Sequence, residues 1–371
     1  MKPRLCVIGA GTFGEMHLRA GLQLTREGVA DLVGFADTNP ELVRLREERY
    51  GIKGYPDLDT MLDACRPDAV TIATPDFLHR DLAVACLERG IHVLTEKPMD
   101  TSVAGCLDMI DAAERAGCLL QVDFMKRKDP YHLDLERRVR TGQVGQVLYG
   151  YAWFEDKIEV PTKWLSSWAA RSDPAWFLGV HLFDLVGWIV RGRAVQVSAT
   201  GAKVKLPTLG IDTYDSIQTR VVYDTGASFT FDLAWHFPEG GEALVHQGIK
   251  LVGSEGWMTV DSQDRGARGC VAGPTAVGVG ADRGQDAARM FTPNLGLFQA
   301  DQDPSGGEWY RGYAIDSIAE FGRNVHFLAN GGSLAALEGR YPSGADGLEA
   351  TRVAVAVHDS LDAGGQVISL G

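Results

Sequence analysis

Along its first 124 residues the chain alternates short β-branched runs with longer amphipathic stretches, and this alternation leaves few folds open. The runs Leu5 to Ile8, Leu32 to Ala36, Ala69 to Ala73, His92 to Leu94 and Leu119 to Phe124 read as strands, each separated from the next by a helical pattern. Right-handed crossovers turn such a βαβ series into a doubly wound parallel sheet with helices on both faces. An α/β domain is therefore expected over residues 1–124.

Past Phe124 the pattern changes. A helix is expected from Pro130 to Thr141, and the alternating runs Gln146 to Phe154, Val195 to Val204, Ser216 to Tyr223, Ser228 to His236 and Lys250 to Val260 suit antiparallel strands. Trp176 to Val190 reads as an apolar helix between them. The segment Arg265 to Gly307, rich in Gly, Ala, Asp and Pro, reads as an excursion from the sheet. A last amphipathic helix, Asp346 to Asp362, stops at Gly364-Gly365 before a short strand, Gln366 to Leu370. Residues 125–371 are thus expected to form an α+β domain with a large, mainly antiparallel sheet.

Composition narrows the partners. The net charge is -13, with acidic residues scattered along the 371-residue chain, so nucleic acid and anionic lipid are disfavoured. The opening MKPRLCVIGAGTFG passes straight into glycines without a cleavage pattern, and no run reaches the roughly 18 apolar residues of a spanning helix. The expectation is a soluble, cytoplasmic protein. Six cysteines include no C-x-x-C pair and read as reduced, buried thiols; no metal site is expected.

Gly9-Ala10-Gly11-Thr12-Phe13-Gly14 follows the first strand and opens a helix. Glycines there allow a tight turn and close backbone approach, while free N–H groups at the helix start face an anion, which is what a dinucleotide pyrophosphate requires. Asp37 ends the second strand about 23 residues after Gly14, near the spacing of a ribose-binding carboxylate. It would accept hydrogen bonds from the ribose hydroxyls and repel a 2′-phosphate, so NAD is expected over NADP; capping of the helix near Pro40 is the alternative. Two further segments, Ala73-Thr74-Pro75 leading to His79 and Thr95-Glu96-Lys97-Pro98, end later strands, where open α/β sheets place their ligands.

In these motifs the chain resembles the Gfo/Idh/MocA family, which includes glucose-fructose oxidoreductase and inositol dehydrogenases. The matching residues are GAGTFG at Gly9, ATPDFLH at Ala73, Glu96-Lys97-Pro98, the segment Gln121 to Arg127, Gly179-x-His181-x-x-Asp184 and the last helix. The resemblance implies a Rossmann domain followed by an open-faced α+β domain, with the nicotinamide at their junction and a homodimer or homotetramer as the assembly. It also implies that Lys97 is the active-site lysine, His181 the acid/base histidine, and Lys97-Pro98 a cis bond.

The chemistry agrees. Moving a hydride from a carbinol carbon requires the hydroxyl proton to leave, and an imidazole is suited to take it. The Lys97 ammonium would stabilise a developing alkoxide, and Asp184 would orient His181 or cap nearby backbone. One position departs from the family: cyclitol dehydrogenases commonly carry Asp four residues before the histidine, and here that residue is Phe177. His181 then acts alone, or Asp173 or Asp184 substitutes, or the reaction differs.

The stretch Tyr151 to Trp176 holds Trp153, Trp164, Trp168 and Trp176 with Lys157, Lys163 and Arg171 between them. Aromatic faces stack on the C–H faces of sugar rings, so Lys163, Trp164 and Trp176, with Arg127, are expected to bind substrate; a tryptophan-rich core is the alternative. The expected activity is hydride transfer between NAD(P) and a hydroxyl-bearing carbon of a sugar, anhydrosugar, glycoside or cyclitol. Two alternatives are a bound-NAD enzyme using transient oxidation for elimination or glycosidic cleavage, and a dinucleotide-sensing regulator.

Overall fold

A computed structural model describes residues 1–241, 243–263, 269–271, 289–291, 296–302 and 307–371. These residues form two compact units, Met1–Pro130 with Gly296–Thr351, and Tyr131–Leu295 with Arg352–Gly371. The units interleave along the chain, unlike the linear split at residue 124 read from the sequence.

The first unit opens with β1 (Arg4–Ile8), α1 (Thr12–Glu27), β2 (Asp31–Ala36), α2 (Pro40–Tyr50), β3 (Gly54–Tyr55) and α3 (Leu58–Cys65). It continues through β4 (Ala69–Ile72), α4 (His79–Leu87), β5 (His92–Thr95), α5 (Val103–Ala116) and β6 (Leu120–Val122). The strands pair in parallel in the order β3-β2-β1-β4-β5-β6. The order reverses direction between β1 and β4, so the loops leaving these two neighbours diverge and open a crevice. Cys6, Cys65, Cys86, Cys106 and Cys118 are buried free thiols, as expected.

In the second unit α6 (Pro130–Arg140) leads to β7 (Val147–Lys157) and α7 (Val180–Val190). Then come β8 (Ala194–Ala202), the short α8 (Lys205–Thr208), β9 (Ser216–Tyr223), β10 (Ser228–Phe237), β11 (Val245–Gly253) and β12 (Trp257–Asp261). The sheet runs β12-β11-β7-β10-β9-β8 and is completed by Ile368–Ser369. Only β7 with β10 pairs in parallel, giving a mixed but mainly antiparallel sheet. Alternate residues of β9 and β10, among them Ile217, Val221, Phe229, Phe231 and Leu233, bury one face against α7 and Val353, Ala354 and Val357. The opposite face stays open, with Tyr149 and Tyr151 exposed.

The run Lys250 to Val260 is two strands, not one. The chain reverses at Ser254–Gly256, where Gly253 N–H donates to Gly256 O, and the alternation resumes in β12. Most of Arg265 to Gly307 lies outside the described residues; within it β13 (Gly269–Val271) pairs with β14 (Arg289–Phe291), and β15 (Gln299–Gln302) starts a hairpin with β16 (Glu308–Arg311).

The first unit is completed by α9 (Tyr313–Ala329) and the short α10 (Leu334–Leu337). Ile315, Ile318, Phe321 and Val325 fall at helical spacing on one face of α9 and pack on Leu5, Ala20 and Leu24. The long α11 (Gly344–Asp362) follows, and β17 (Ile368–Ser369) ends the sheet of the second unit. No described helix is long and apolar enough to cross a membrane. If α9 is part of the first unit's core, Phe321→Ala, at a fully buried position, destabilises the protein by about 3–5 kcal/mol. A loss under roughly 1 kcal/mol in denaturant unfolding would refute that packing.

Candidate active site

The crevice between β1 and β4 is built by close backbone approach. Gly9 has φ +91, and a Cβ there would stand 2.5 Å from Ala73 O; one on Gly14 would stand 2.1 Å from Gly9 O. Only glycine meets both demands. Gly11, at the N-cap of α1, makes no side-chain cap bond and has open space around it. The first-turn N–H groups of α1 at Thr12, Phe13 and Gly14 therefore have the setting that anions seek at helix starts.

Asp37 closes this seat from β2. Its Oδ2 accepts Ala10 N–H at 2.7 Å and its Oδ1 accepts Asn39 N–H at 2.8 Å. The cap of α2 is Asn39, whose side chain accepts from Glu41 and Leu42 N–H, so Asp37 holds the glycine loop and not the helix. A carboxylate has about four lone-pair positions, so room for sugar hydroxyls remains.

From the other side come the loops after β4 and β5. The His79 ring nitrogens lie 2.7 Å from Pro98 O and 2.9 Å from Thr74 O, bracing one loop against the other. Thr74 Oγ1 is buried without a hydrogen-bond partner among the described residues. The Lys97-Pro98 bond is cis, as the resemblance implied. Lys97 is 6% exposed, and its Nζ lies 5.8 Å from the centre of the Phe13 ring. The open glycine cradle, an orphaned hydroxyl and Asp37 together fit a dinucleotide.

Arg127, after β6, is committed to a neighbour in its own unit. Its Nη2 donates to Asp346 Oδ1 at 2.8 Å, while Asp346 Oδ2 accepts Ser343 N–H and Oγ–H at 2.7 Å each. Burial pushes the Asp346 carboxyl up, but Arg127 and Ser343 outweigh it and hold the group below its ordinary range.

The remaining predicted residues sit in the second unit. Two π-helical turns, Val160–Trp164 and Ala175–Gly179, flank the aromatic stretch; such turns are rare and cluster at functional sites. Lys163 Nζ lies 2.9 Å from Glu239 and 3.9 Å from Glu159, and Trp164 is 37% exposed. Trp168 stands edge-on to Phe177, which also packs on the fully buried Trp235. Glu159, buried at the cap of the first π turn, was not anticipated, and burial raises its carboxyl despite Lys157 and Lys163.

The second π turn runs into α7. His181, 4% exposed, tilts against Phe154 with ring centres 5.6 Å apart. Asp184 is buried one turn on, and its charge adds to the burial that pushes the Tyr223 hydroxyl up. Asp173 is engaged elsewhere than at His181: its Oδ1 accepts Ala175 and Trp176 N–H, and its Oδ2 lies 2.5 Å from His358 Nε2. Trp176 stacks on that imidazole, 5.2 Å between centres and 15° from parallel. His358 was missed because a helical histidine of the last turns carries no local signal of its partner.

These features define a dinucleotide-binding oxidoreductase class, and the comparisons agree. Residues 4–124 match a model described as an oxidoreductase family with NAD-binding Rossmann fold, and residues 132–259 match the GFO/IDH/MocA C-terminal domain. The chain belongs to the Gfo/Idh/MocA family of NAD-dependent oxidoreductases. It is 30% identical over 202 residues to inositol 2-dehydrogenase 2 of Saccharopolyspora erythraea, a match covering 54% of this chain and 57% of that one. Inositol 2-dehydrogenase of Acidothermus cellulolyticus is 28% identical, with 70% and 73% covered. The fold matches the crystal structure of myo-inositol 2-dehydrogenase from Lactobacillus plantarum with TM-score 0.76 at 18% identity, over all of both chains.

Burial pulls the His358 imidazole down, but its bond to Asp173 and that group's charge win, so its pKa is raised above 6.5. Stability from the pair is fully present below the unfolded value near 6.5 and is lost as pH rises through the raised folded value. Asp173→Asn should therefore lower Tm at pH 6 and converge on wild type at alkaline pH. A Tm deficit that does not shrink with pH would contradict an ionic pair.

Proposed function

We propose that the protein is an NAD-dependent dehydrogenase of a polyol, oxidising a ring hydroxyl of a sugar, anhydrosugar, glycoside or cyclitol. The observation that carries this reading is a buried ammonium, Lys97, on a strand end beside the glycine seat at the reversal of the sheet. The names of the inositol dehydrogenase relatives support a polyol substrate.

Gly9, Gly11, Thr12, Phe13 and Gly14 would hold the pyrophosphate, Asp37 the adenosine ribose, and Thr74, Pro75, Glu96, Lys97 and Pro98 the nicotinamide half, with His79 keeping their loops in register. When bound, the nicotinamide accepts a hydride from the carbinol carbon. Lys97 stabilises the negative charge that develops on the substrate oxygen, because a buried ammonium acts at low dielectric. His181 takes the hydroxyl proton, and Asp184 on the same helix is its remaining carboxylate neighbour in sequence, Asp173 being occupied. Lys163, Trp164 and Trp176 would meet the sugar, Trp164 with its exposed ring as a stacking face. Arg127 would meet the substrate from the loop after β6. We further read the open face of the second unit's sheet as the site of self-association in a cytoplasmic homodimer or homotetramer.

A screen of sugars and cyclitols at alkaline pH, following nicotinamide absorbance, tests the reading. NADH should accumulate with at least one polyol, and Lys97→Ala should lower kcat by roughly 10²–10³-fold. Turnover untouched by Lys97→Ala removes the assignment, and product formed without NADH removes the dehydrogenase. Trp164→Ala should raise KM for the polyol with little change in the Kd for NAD; parallel losses in both would deny stacking. Asp37→Ser should improve use of NADP relative to NAD, and an unchanged ratio would place the ribose elsewhere.

A further inference from the structure

Behind the turn that carries Lys97 lie three buried ionisable groups to which the proposed chemistry assigns no proton or hydride transfer. His17 comes from α1, Glu96 directly follows β5, and Asp123 directly follows β6. Their donor and acceptor atoms all lie within 4.8 Å of one another. His17 Nε2 is 3.1 Å from Glu96 Oε1 and 3.9 Å from Asp123 Oδ2. Glu96 Oε2 accepts the backbone N–H of Lys97 at 3.2 Å. Ser317, on α9, donates its hydroxyl to Asp123 Oδ1, and Asp123 N–H donates to Thr95 O at 2.8 Å.

Two carboxylates this close and this far from water cannot both be ionised without compensating cations. The charged and titratable groups that act on them are His17 from α1, Lys97 from the same turn and, toward Glu96, His79 from α4. On the elements packed alongside, Lys128 pairs with Glu320 and Arg127 with Asp346, which leaves those charges largely compensated. Hydrogen bonding decides which acid keeps its proton. Burial opposes ionisation of Glu96, yet the bond from His17 and the charges of His17 and Lys97 hold it below its ordinary range. Asp123 is driven the other way, to about 7, first by burial and then by the charge on Glu96. Near neutrality the cluster thus keeps one negative charge on Glu96 and one exchangeable proton on Asp123.

We propose that His17, Glu96, Asp123 and Ser317 form a proton-sharing cluster that sets the net charge facing Lys97, with Asp123 and His17 as positioning residues for the step assigned to that lysine. The inference rests on the reading of Lys97 given above. When Asp123 releases its proton to solvent, a second negative charge faces the ammonium and weakens its field at the substrate oxygen. The step that depends on Lys97 then follows the titration of Asp123 as well as that of any group touching substrate.

The test compares wild type, Asp123→Asn and Ser317→Ala. The pH profile of kcat/KM should lose one inflection near neutrality in Asp123→Asn, and Ser317→Ala, which removes a donor to the ionised carboxylate, should move that inflection to higher pH. A readout independent of turnover is thermal stability. A carboxyl whose folded value is raised contributes stability that is present below its unfolded value, about 3.9, and is lost as pH rises through about 7. Wild-type Tm should therefore fall relative to Asp123→Asn between pH 5 and pH 8, with the Kd for NAD within about twofold in both. A Tm difference independent of pH, or an inflection unmoved in both variants, overturns the cluster. Wild type without turnover on any polyol would overturn the functional reading alone, since the Tm comparison still reports on Asp123.

Discussion

The contact on which the rest depends is the approach of two backbone loops where the parallel sheet reverses its strand order. A Cβ at Gly9 would collide with Ala73 O, and one at Gly14 with Gly9 O, so the turn closes only with hydrogen at both positions. Because it closes, α1 begins directly above β1, its first amides stay free of side-chain caps, and Ala10 N–H reaches Asp37. The loop after β4 is held from its far side by His79, which spans Thr74 and Pro98 and so fixes the turn bearing Lys97. A cofactor seat and a buried ammonium are consequences of one strand arrangement.

Much of this was legible because it is local. Five strands of the parallel sheet, β1, β2, β4, β5 and β6, match the apolar runs to within a residue or two, whereas the two-residue β3 has no such run, and β9 spans Ser216–Tyr223 as its alternation implies. Local pattern fails where a pattern is ambiguous about what interrupts or covers it. Lys250 to Val260 keeps one alternation through a reversal at Ser254–Gly256, since a glycine in a strand pattern reads equally as a bulge or a turn. α9 has no counterpart among the elements read from the sequence, and its apolar spacing says only that a face is covered, not that α1 covers it. Hence the linear division at residue 124 misses the return of 296–351 to the first unit.

The site divides in the same way. Glycine spacing, the acidic strand end and the Glu96-Lys97-Pro98 turn each carry a short-range signature. The polar pairs behind them do not: His17 meets Glu96 across 79 residues and His358 meets Asp173 across 185. A buried polar side chain must find a partner, but burial itself is a tertiary fact, and sequence shows neither the burial nor the partner.

Phe177 is where the chain departs from the cyclitol-dehydrogenase pattern, and its surroundings explain why no carboxylate stands there. The ring is set between Trp168 and Trp235, an aromatic setting in which an ionised Asp would be desolvated. Asp173, four residues earlier, does not fill the gap, because both its oxygens serve the start of the π turn and His358. On the proposed reading, the carboxylate absent at Phe177 is thus not replaced by Asp173, and Lys97 is the cation assigned to the substrate oxygen. An ammonium given that role is sensitive to every buried charge around it. Glu96 and Asp123, buried together behind Lys97, are two such charges.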